Sequence, residues 1–213
     1  ISDNTITSGK DKGIAINSVK CKMTISGNTI KKCKAYPIYC NPASTSYAIT
    51  LKKNIITGNS KKIDGIRADS GKLILSSNTI SSCSRAIILS SKVKGTVYPN
   101  TFKKNTYNNV KVNSSYVKTL TVKSLSGKSK SAKTATLNWK KLSSASGYVV
   151  YRSTSKNGSY TKISTIGKNK TITYKDSKLK SKSTYYYKIV PYTTIGKTTV
   201  YGVDSKIVSI KIK

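Results

Sequence analysis

Few side chains in this chain of 213 residues could take part in acid–base chemistry. The sequence has no histidine and no glutamate, and its six acidic residues are all aspartates: Asp3, Asp11, Asp64, Asp69, Asp176 and Asp204. A glycosidase needs two carboxylates that flank one bond, and a calcium site needs several oxygen ligands clustered together. No two of these aspartates fall at equivalent positions of the repeat described below. The sequence therefore predicts neither a catalytic site nor a bound cofactor.

The four cysteines do not predict a metal site either. Cys21, Cys33, Cys40 and Cys83 match no zinc-binding spacing, and there is no histidine to help. Cys33 and Cys83 share a repeat position but are two repeats apart, about 9.6 Å in stacked coils, which is too far for a disulfide. We expect all four to be small buried apolar residues, with a Cys21–Cys40 or Cys33–Cys40 bridge as the alternative.

Five residues could form a ligand-binding surface. The repeat aligns Tyr39, Arg67 and Lys111 in one outward-facing column of side chains, and Asn41 and Asp69 in the next column. Tyr39 would stack on a sugar ring, while Arg67 and Lys111 would hold carboxylate groups. The alternative is a simple surface ion pair between Arg67 and Asp69, which contributes little to stability.

Short strands in a regular repeat must position these side chains. Triplets of the type Asn-x-Ile recur every 22 to 26 residues, and apolar residues stand at fixed distances before and after them. The triplets begin at Asn4, Asn28, Asn54, Asn78 and Asn100. A repeat of this length, built from short alternating strands, predicts stacked coils, because one coil cannot bury its apolar face alone.

The first 116 residues resemble the right-handed parallel β-helix family, which includes pectate lyases, polygalacturonases and many surface proteins. The resemblance rests on the repeat and implies about five coils that stack about 4.8 Å apart. We expect the equivalent asparagines to form a ladder of side-chain amides at a corner where asparagine also tolerates left-handed geometry. The same coils carry enzymes, adhesins and spacers, so the resemblance predicts architecture rather than activity.

The second half of the chain has a different pattern. Its composition shifts near Tyr116, where a segment rich in lysine, serine and threonine begins. Short runs with strand-like alternation follow, and their number fits a β-sandwich. The seven runs are 134–139, 147–152, 160–166, 171–175, 184–192, 197–203 and 207–213.

Residues 117–213 resemble a bacterial fibronectin type III domain of the kind found at the C-terminal ends of secreted Firmicute proteins. The resemblance is carried by Leu-Asn-Trp at 137–139 and Gly-Tyr-Val-Val-Tyr-Arg at 147–152. It implies that Trp139 lies in the core and that Tyr185 is the corner tyrosine whose hydroxyl bonds back to the chain. The predicted fold class is therefore all-β, with a parallel β-helix at 1–116 and a seven-stranded fibronectin type III-like sandwich at 117–213.

The charge of the chain points to anionic partners. With 40 basic and 6 acidic residues, the formal net charge is +34, and it is spread over both halves. Such a field attracts acidic polysaccharides and anionic cell-wall polymers, and it predicts non-specific binding of any polyanion at low salt. No recognition helix, RNA-binding signature or zinc finger is present, so specific nucleic-acid binding is not predicted. The alternative is that the lysines are only a solubilising surface.

These features predict a non-catalytic structural or binding segment of a secreted or cell-surface protein, from a Gram-positive bacterium by the Firmicute resemblance. The alternative is the C-terminal part of a polysaccharide lyase or glycoside hydrolase whose catalytic coils precede residue 1, because the first residues already lie inside a repeat. No apolar run approaches the roughly 20 residues of a transmembrane helix, so no membrane span is expected.

Overall fold

The structure is a computed structural model that describes most of the chain. The described residues are 1–7, 11–18, 21–42, 45–59 and 62–213. Within these ranges every regular element is a β-strand, as expected for a composition rich in Ile, Val, Thr and Tyr.

The chain forms two compact units. The first comprises Ile1–Lys118 together with Thr194–Val200, and the second comprises Thr119–Thr193 together with Tyr201–Lys213. The predicted boundary at 116/117 lies two residues before the division at Lys118, and it did not anticipate that the segment Thr194–Val200 would join the first unit.

The first unit contains fifteen consecutive short strands. In chain order they are β1 (Thr5–Thr7), β2 (Ile14–Asn17), β3 (Met23–Ser26), β4 (Thr29–Lys31), β5 (Ile38–Asn41), β6 (Ala48–Lys52), β7 (Ile55–Thr57), β8 (Ile66–Ala68), β9 (Gly71–Ser76), β10 (Thr79–Ser81), β11 (Arg85–Leu89), β12 (Val93–Val97), β13 (Thr101–Lys103), β14 (Tyr107–Val112) and β15 (Ser115–Val117).

These strands stack into three parallel sheets, so the chain winds as a parallel β-helix. The first sheet has the order β1-β4-β7-β10-β13, and the second has the order β2-β5-β8-β11-β14 and ends with β15, which runs antiparallel to β14. The third sheet has four strands from this region, β3-β6-β9-β12. The unit therefore has about four complete turns rather than the predicted five coils, because no fifth strand of this region enters the third sheet.

Residues of a later strand occupy that fifth place. Strand β22 (Thr198–Tyr201) follows the long strand β21 (Thr184–Ile195), and its residues Thr199 and Val200 pair in parallel with Thr96 and Val97 of β12. The Thr198 hydroxyl donates to the Val93 carbonyl at 3.1 Å and accepts from the Gly95 amide at 3.3 Å. Thr198 and Val200 are buried, so this segment is an integral part of the first unit.

The predicted asparagine ladder is confirmed. The side-chain amide of each asparagine donates to the side-chain oxygen of the next, at 3.1, 3.0, 2.9 and 2.9 Å from Asn4 to Asn100. The same oxygens accept from the backbone amides of the preceding asparagines. Asn28, Asn54 and Asn78 are fully buried, and they satisfy the polar backbone at the corner, where an unpaired group would be costly.

Left-handed backbone geometry occurs one position before the ladder rather than at the asparagines themselves. Asp3, Gly27, Lys53 and Ser77 have φ values of 56°, 68°, 55° and 55°. Only one of these four residues is the glycine that such a conformation favours.

The core of the β-helix is lined by aliphatic residues and cysteines. Cys40 pairs in register with Ile16 and Ala68, as predicted, and all three are buried. None of the four cysteines is joined in a disulfide, so neither alternative bridge forms. Cys33 and Cys83 are also buried, but Cys21 is exposed, which corrects the expectation that all four lie in the core. Cys21 precedes β3, outside the alternation that points side chains inward.

The second unit contains the other strands. They are β16 (Ser126–Lys128), β17 (Ala135–Asn138), β18 (Gly147–Ser153), β19 (Thr161–Ile166), β20 (Thr173–Asp176) and β23 (Val208–Lys211), together with most of β21. They form one sheet of order β16-β17-β20 and another of order β19-β18-β21 with β23 beside β21. This is a seven-stranded fibronectin type III-like sandwich.

Two of its core features follow the prediction. Trp139 is buried and makes an edge contact with Tyr148, whose ring centroid lies 5.3 Å away. The hydroxyl of Tyr185 accepts a hydrogen bond from the backbone amide of Lys180 at 3.2 Å, which is the corner contact expected of that tyrosine.

One predicted sandwich strand is divided between the two units. The run 197–203 does contain a strand, β22, but its residues 198–200 belong to the first unit, so we do not count it among the seven strands of the sandwich. The seventh strand is β16, which pairs with β17 in the other sheet and was not predicted, because its sequence Ser-Gly-Lys has no apolar residue. A side chain at Gly127 would collide with Leu137 and Ile210, so close packing rather than alternation explains this strand.

Candidate functional site

The predicted ligand-binding residues lie on the outward face of the second sheet of the first unit. Strand pairing places Tyr39 beside Arg67, Arg67 beside Ile88, and Ile88 beside Lys111. Asn41 continues the neighbouring column, where the Asp69 amide bonds to the carbonyl of Cys40 in the preceding coil. Strict alternation produces both columns, because Ile66 and Ala68 are fully buried and their neighbours must point outward.

Arg67 and three neighbouring side chains form a closed network. The Arg67 Nε donates to Asp69 Oδ1 at 3.0 Å, and its Nη1 donates to the Tyr36 hydroxyl at 3.1 Å. The Tyr39 hydroxyl donates to Asp69 Oδ2 at 2.9 Å. The rings of Tyr36 and Tyr39 stack with centroids 5.8 Å apart, and the guanidinium lies 5.2 Å from the Tyr36 centroid. Arg67 is therefore held in one orientation by both charge and stacking.

Tyr39 is committed to contacts within the protein. Tyr36 stacks against its ring, and the Lys12 ammonium lies 5.5 Å from its centroid. Burial raises the pKa of its hydroxyl, and the hydrogen bond to Asp69 raises it further. A sugar could stack on this ring only by displacing a neighbour, so the stacking role of Tyr39 stays a prediction.

Sequence reasoning missed a second arginine on this face. Arg85 Nε donates to Asp64 Oδ1 at 2.8 Å, and Nη2 donates to Oδ2 at 3.0 Å, a two-point pair in which Asp64 is almost fully buried. The hydrogen bond to Asp64 is the largest cause of the raised pKa of Arg85. Ile87 and Leu89 face the core, so strict alternation would turn position 85 inward as well. The pairing of β11 with β14 changes register between Arg85 and Ile87, and Ala86 and Ile87 are both buried, so the alternation is broken here and Arg85 is partly exposed.

Lys111 ends this cationic row beside two tyrosines. Its ammonium lies 5.3 Å from the centroid of Tyr116, and the rings of Tyr116 and Tyr107 have centroids 5.7 Å apart. Both tyrosines are exposed. This end of the face thus offers aromatic surface that the predicted set of residues did not include.

The three cations border one shallow pocket of about 330 Å³. Its lining residues are Arg67, Asp69, Arg85, Ile88, Leu89, Ser90, Ser91, Lys111 and Asn113. Among these described residues there are three positive side chains and one carboxylate. We call this the arginine pocket.

A second pocket of about 600 Å³ adjoins it. Its lining residues are Ser18, Asn41, Pro42, Thr45, Asp69, Ser70, Gly71 and Lys92. Asp69 is common to both pockets and forms part of the wall between them. We call the second one the asparagine pocket, because the Asn41 side chain accepts a hydrogen bond from Ser70 within it, at 2.9 Å.

The carboxylates of the chain are mostly engaged in ion pairs. Five of the six aspartates pair with a lysine or arginine: Asp11, Asp64, Asp69, Asp176 and Asp204. In the described part of the chain, no three side chains of the types His, Cys, Asp or Glu come together as a metal site would require. The described part of the chain also contains no helix that is long and apolar enough to cross a membrane.

The comparison with solved structures finds fibronectin type III-like domains. An Fn3-like protein from Clostridium thermocellum is 30% identical, over 43% of this chain and 88% of its own, with a TM-score of 0.36. The FN1–FN3 domains of chicken CNTN1 are 16% identical, over 49% of this chain and 35% of their own, with a TM-score of 0.39. A beta-1,2-glucanase from Parabacteroides distasonis is 16% identical, over 43% of this chain and 12% of its own, with a TM-score of 0.35. A search of curated proteins found no match.

The comparison with protein families concerns the first part of the chain. The family model described as periplasmic copper-binding protein (NosD) matches residues 1–128, which is more than half of the sequence. The match covers all of the strands β1 to β15, whose coils have the right-handed parallel β-helix architecture of that family. The chain therefore belongs to the NosD family.

Proposed function

We propose that this segment of a periplasmic or extracellular protein binds an acidic polysaccharide or an anionic wall polymer on the outward face of its second β-helix sheet. The arginine pocket is the observation that supports the proposal. Arg67, Arg85 and Lys111 converge there, and the one carboxylate in its lining, Asp69, already has both oxygens occupied by Arg67 and Tyr39. The pocket is thus electropositive and ready to accept a negative group.

The two arginines are suited to this role because they are already oriented. Asp69 and Asp64 each fix one guanidinium, and the hydrogen bonds to these aspartates and to Tyr36 use only some of the five N–H donors of each arginine. A carboxylate or phosphate can then be bound with little loss of side-chain freedom. Stacked coils place equivalent side chains about 4.8 Å apart, so an extended polymer could meet several coils in succession.

The proposed setting is the cell wall of a Gram-positive bacterium. Its support is the resemblance of the second unit to the lysine- and tyrosine-rich modules of secreted Firmicute proteins. The net charge of +34 would hold the chain near a wall polymer through long-range attraction, while the arginine pocket would supply the short-range contacts.

The residues described here do not fit copper, the metal in the family's name. Copper sites in proteins use imidazole, thiolate and thioether ligands. The chain has no histidine and a single methionine. Cys33, Cys40 and Cys83 are buried, and burial raises the pKa of the Cys40 thiol to about 12 and that of Cys83 to about 11, which disfavours the thiolate. We therefore assign no copper site to the described part of this chain.

A binding assay with two lysine variants tests the proposal. Lys111→Ala removes one cation of the arginine pocket without breaking an ion pair, and Lys128→Ala removes one exposed lysine of the second unit as a matched change of charge. At physiological salt, we expect Lys111→Ala to weaken binding of an acidic polysaccharide roughly tenfold, the loss of one charged contact. We expect Lys128→Ala to leave the affinity unchanged. Equal losses in both variants, or wild-type binding that disappears at physiological salt, would contradict the proposal.

A further inference from the structure

Two exposed tyrosines lie side by side on the last two strands of the second sheet. Tyr107 on β14 is 48% exposed, and Tyr116 on β15 is 46% exposed. Their ring centroids are 5.7 Å apart, and the ring planes meet at 33°. Single exposed aromatic residues are common on protein surfaces, but two rings that contact each other and stay half exposed form a continuous aromatic surface.

Strand pairing places this aromatic surface beside the arginine pocket. Tyr107 is the register partner of Arg85, and Tyr116 is the register partner of Lys111. Arg85 and Lys111 both line the pocket. Because neighbouring strands lie about 4.8 Å apart, a ligand bound in the pocket has to extend by only about one strand spacing to reach the tyrosines.

Tyr107 has more ring surface available to a ligand than Tyr39. The Tyr39 ring stacks on Tyr36, and a lysine ammonium lies 5.5 Å from its centroid. Among the described residues, Tyr116 is the aromatic neighbour of Tyr107, and Tyr116 is itself held by Lys111 at 5.3 Å. With one neighbouring ring and about half of its surface in solvent, Tyr107 can present a face to a ligand.

The pocket beside these rings has one positive charge without a partner of opposite sign. Arg67 pairs with Asp69 and Arg85 pairs with Asp64, so both arginines are already neutralised. Lys111 belongs to no ion pair in the described part of the chain. A single free charge suits a ligand with one carboxylate per ring, whereas a nucleic acid carries a phosphate at every nucleotide and needs cations along its backbone.

From this juxtaposition we infer that Tyr107 and Tyr116 form a stacking subsite for a uronate, a pyranose ring that carries one carboxylate. The face of the ring lies on Tyr107, and the carboxylate lies beside Lys111 in the arginine pocket. A rigid ring loses little freedom when it stacks, and an open-chain anionic polymer offers no such face. The inference rests on the proposed function, and it narrows the ligand from any anionic polymer to one built from uronate rings.

Binding of three probes of equal charge distinguishes this inference from simple charge attraction. The probes are a hexasaccharide of galacturonate, a capped hexapeptide of glutamate, which has carboxylates but no sugar rings, and an oligothymidylate, whose bases could also stack. At physiological salt, we expect the full chain to bind the galacturonate probe roughly fivefold to tenfold more tightly than either of the others, because only this probe supplies both the ring and the single carboxylate.

Variants of the two tyrosines locate the effect. Tyr107→Leu should weaken galacturonate binding roughly fivefold and leave glutamate binding unchanged, whereas Tyr107→Phe keeps the ring and should bind galacturonate as the wild type does. Tyr116→Leu removes the supporting ring and is the second variant if Tyr107→Leu does not fold. Tyr47→Leu makes the same exchange at another exposed tyrosine of the first unit and should change nothing.

The outcomes separate this inference from the proposed function. If the glutamate or thymidylate probe binds as tightly as galacturonate, or if loss of the aromatic ring does not weaken galacturonate binding, the stacking subsite is overturned. The proposed function then still stands if Lys111→Ala weakens binding of the acidic polysaccharide. If no probe binds at physiological salt, both are overturned.

Discussion

Arginine–aspartate ion pairs occur in both units but have different surroundings. Arg67 and Arg85 on the β-helix and Arg152 in the sandwich each bond to an aspartate, and their side chains are 35%, 31% and 33% exposed. Exposure therefore does not distinguish them. What differs is their surroundings, because only Arg67 and Arg85 line the arginine pocket.

The ion pair in the sandwich, between Arg152 and Asp176, also contacts two tyrosines. Arg152 Nη1 donates to both oxygens of Asp176, at 3.3 and 3.0 Å, and the hydroxyl of the buried Tyr187 donates to Asp176 Oδ2 at 2.8 Å. The guanidinium lies 5.4 Å from the centroid of Tyr185, the corner tyrosine. Arg152 lines neither the arginine pocket nor the asparagine pocket, so we expect its ion pair with Asp176 to stabilise the sandwich rather than to bind a ligand.

The largest expected effect comes from breaking the ion pair between Arg152 and Asp176. Asp176→Ala leaves Arg152 and the Tyr187 hydroxyl without their shared partner, and Arg152 is partly exposed. We therefore expect a loss of roughly 2 to 3 kcal/mol in the unfolding free energy of the second unit. Chemical denaturation followed by Trp139 fluorescence measures it, since that tryptophan lies in the sandwich core. Polysaccharide binding should not change, and a large loss of binding would contradict the purely structural role of this pair.

A matched exchange of arginine for lysine sharpens the comparison. Arg85→Lys keeps the charge but cannot hold Asp64 at two points while also donating to the pocket, so we expect roughly tenfold weaker binding of an acidic polysaccharide. Arg152→Lys makes the same exchange in the sandwich and should leave binding unchanged. Titration calorimetry at physiological salt compares the two variants. If both exchanges weaken binding equally, the pocket is not the cause.

The cysteines report on the β-helix alone, because all four lie in the first unit. Only Cys21 is exposed, so we expect a thiol reagent to label one cysteine in the native chain and four after denaturation. Labelling of Cys40 should be no faster in Asp176→Ala than in the wild type if the two units unfold separately. Rapid labelling of all four in that variant would show that the units unfold together.

The same thiols predict a pH dependence. Burial raises the pKa of Cys40 from 9.0 to about 12, so the native state keeps a proton that the unfolded chain releases. The contribution of the protonated Cys40 thiol to the unfolding free energy is fully present below pH 9 and is lost as the pH rises towards 12. Denaturation curves at pH 8 and pH 11 should therefore differ more for the wild type than for Cys40→Ala. An equal difference in the two proteins would mean that Cys40 does not contribute.

The smallest expected effect concerns the β-helix corners. Lys53 and Ser77 have the left-handed backbone that Gly27 adopts at the equivalent corner. Replacement of Ser77 by glycine relieves the strain of a side chain in that conformation, so we expect about 0.5 to 1 kcal/mol of added stability. The effect should appear in the unfolding of the first unit and leave that of the sandwich unchanged. A destabilised β-helix would show that contacts of the Ser77 side chain outweigh its backbone strain.

Much of the fold could be predicted because it repeats. The interval between asparagines predicted the ladder, and alternation of apolar residues predicted the outward columns that contain Tyr39, Arg67 and Lys111. The strand Ser126–Lys128 could not be predicted, because it has no apolar residue and depends on packing against Gly127. Nor does alternation say which sheet a strand joins, so the transfer of Thr198–Val200 to the first unit was missed.

The candidate site was only partly predictable for a related reason. Arg67 and Asp69 follow from alternation, but Arg85 lies where the alternation is broken, because Ala86 and Ile87 next to it are both buried. Tyr36 precedes its strand and so lies outside the pattern altogether. A signal for Arg85 was present in the spacing, because Asp64 lies 21 residues earlier, close to one turn of the coil. When the length of a repeat is known, ion pairs between successive turns can be sought at that spacing in the sequence.

Mapping a bound acidic oligosaccharide by amide chemical shifts tests the central claim most directly. The probe is a hexasaccharide of galacturonate, titrated into the isotope-labelled full chain at physiological salt. We expect shifts concentrated at the residues of the arginine pocket, such as Arg67, Ser90 and Asn113, and at Asn41 in the adjoining pocket. Shifts spread over the lysines of both units, or confined to the sandwich, would contradict it.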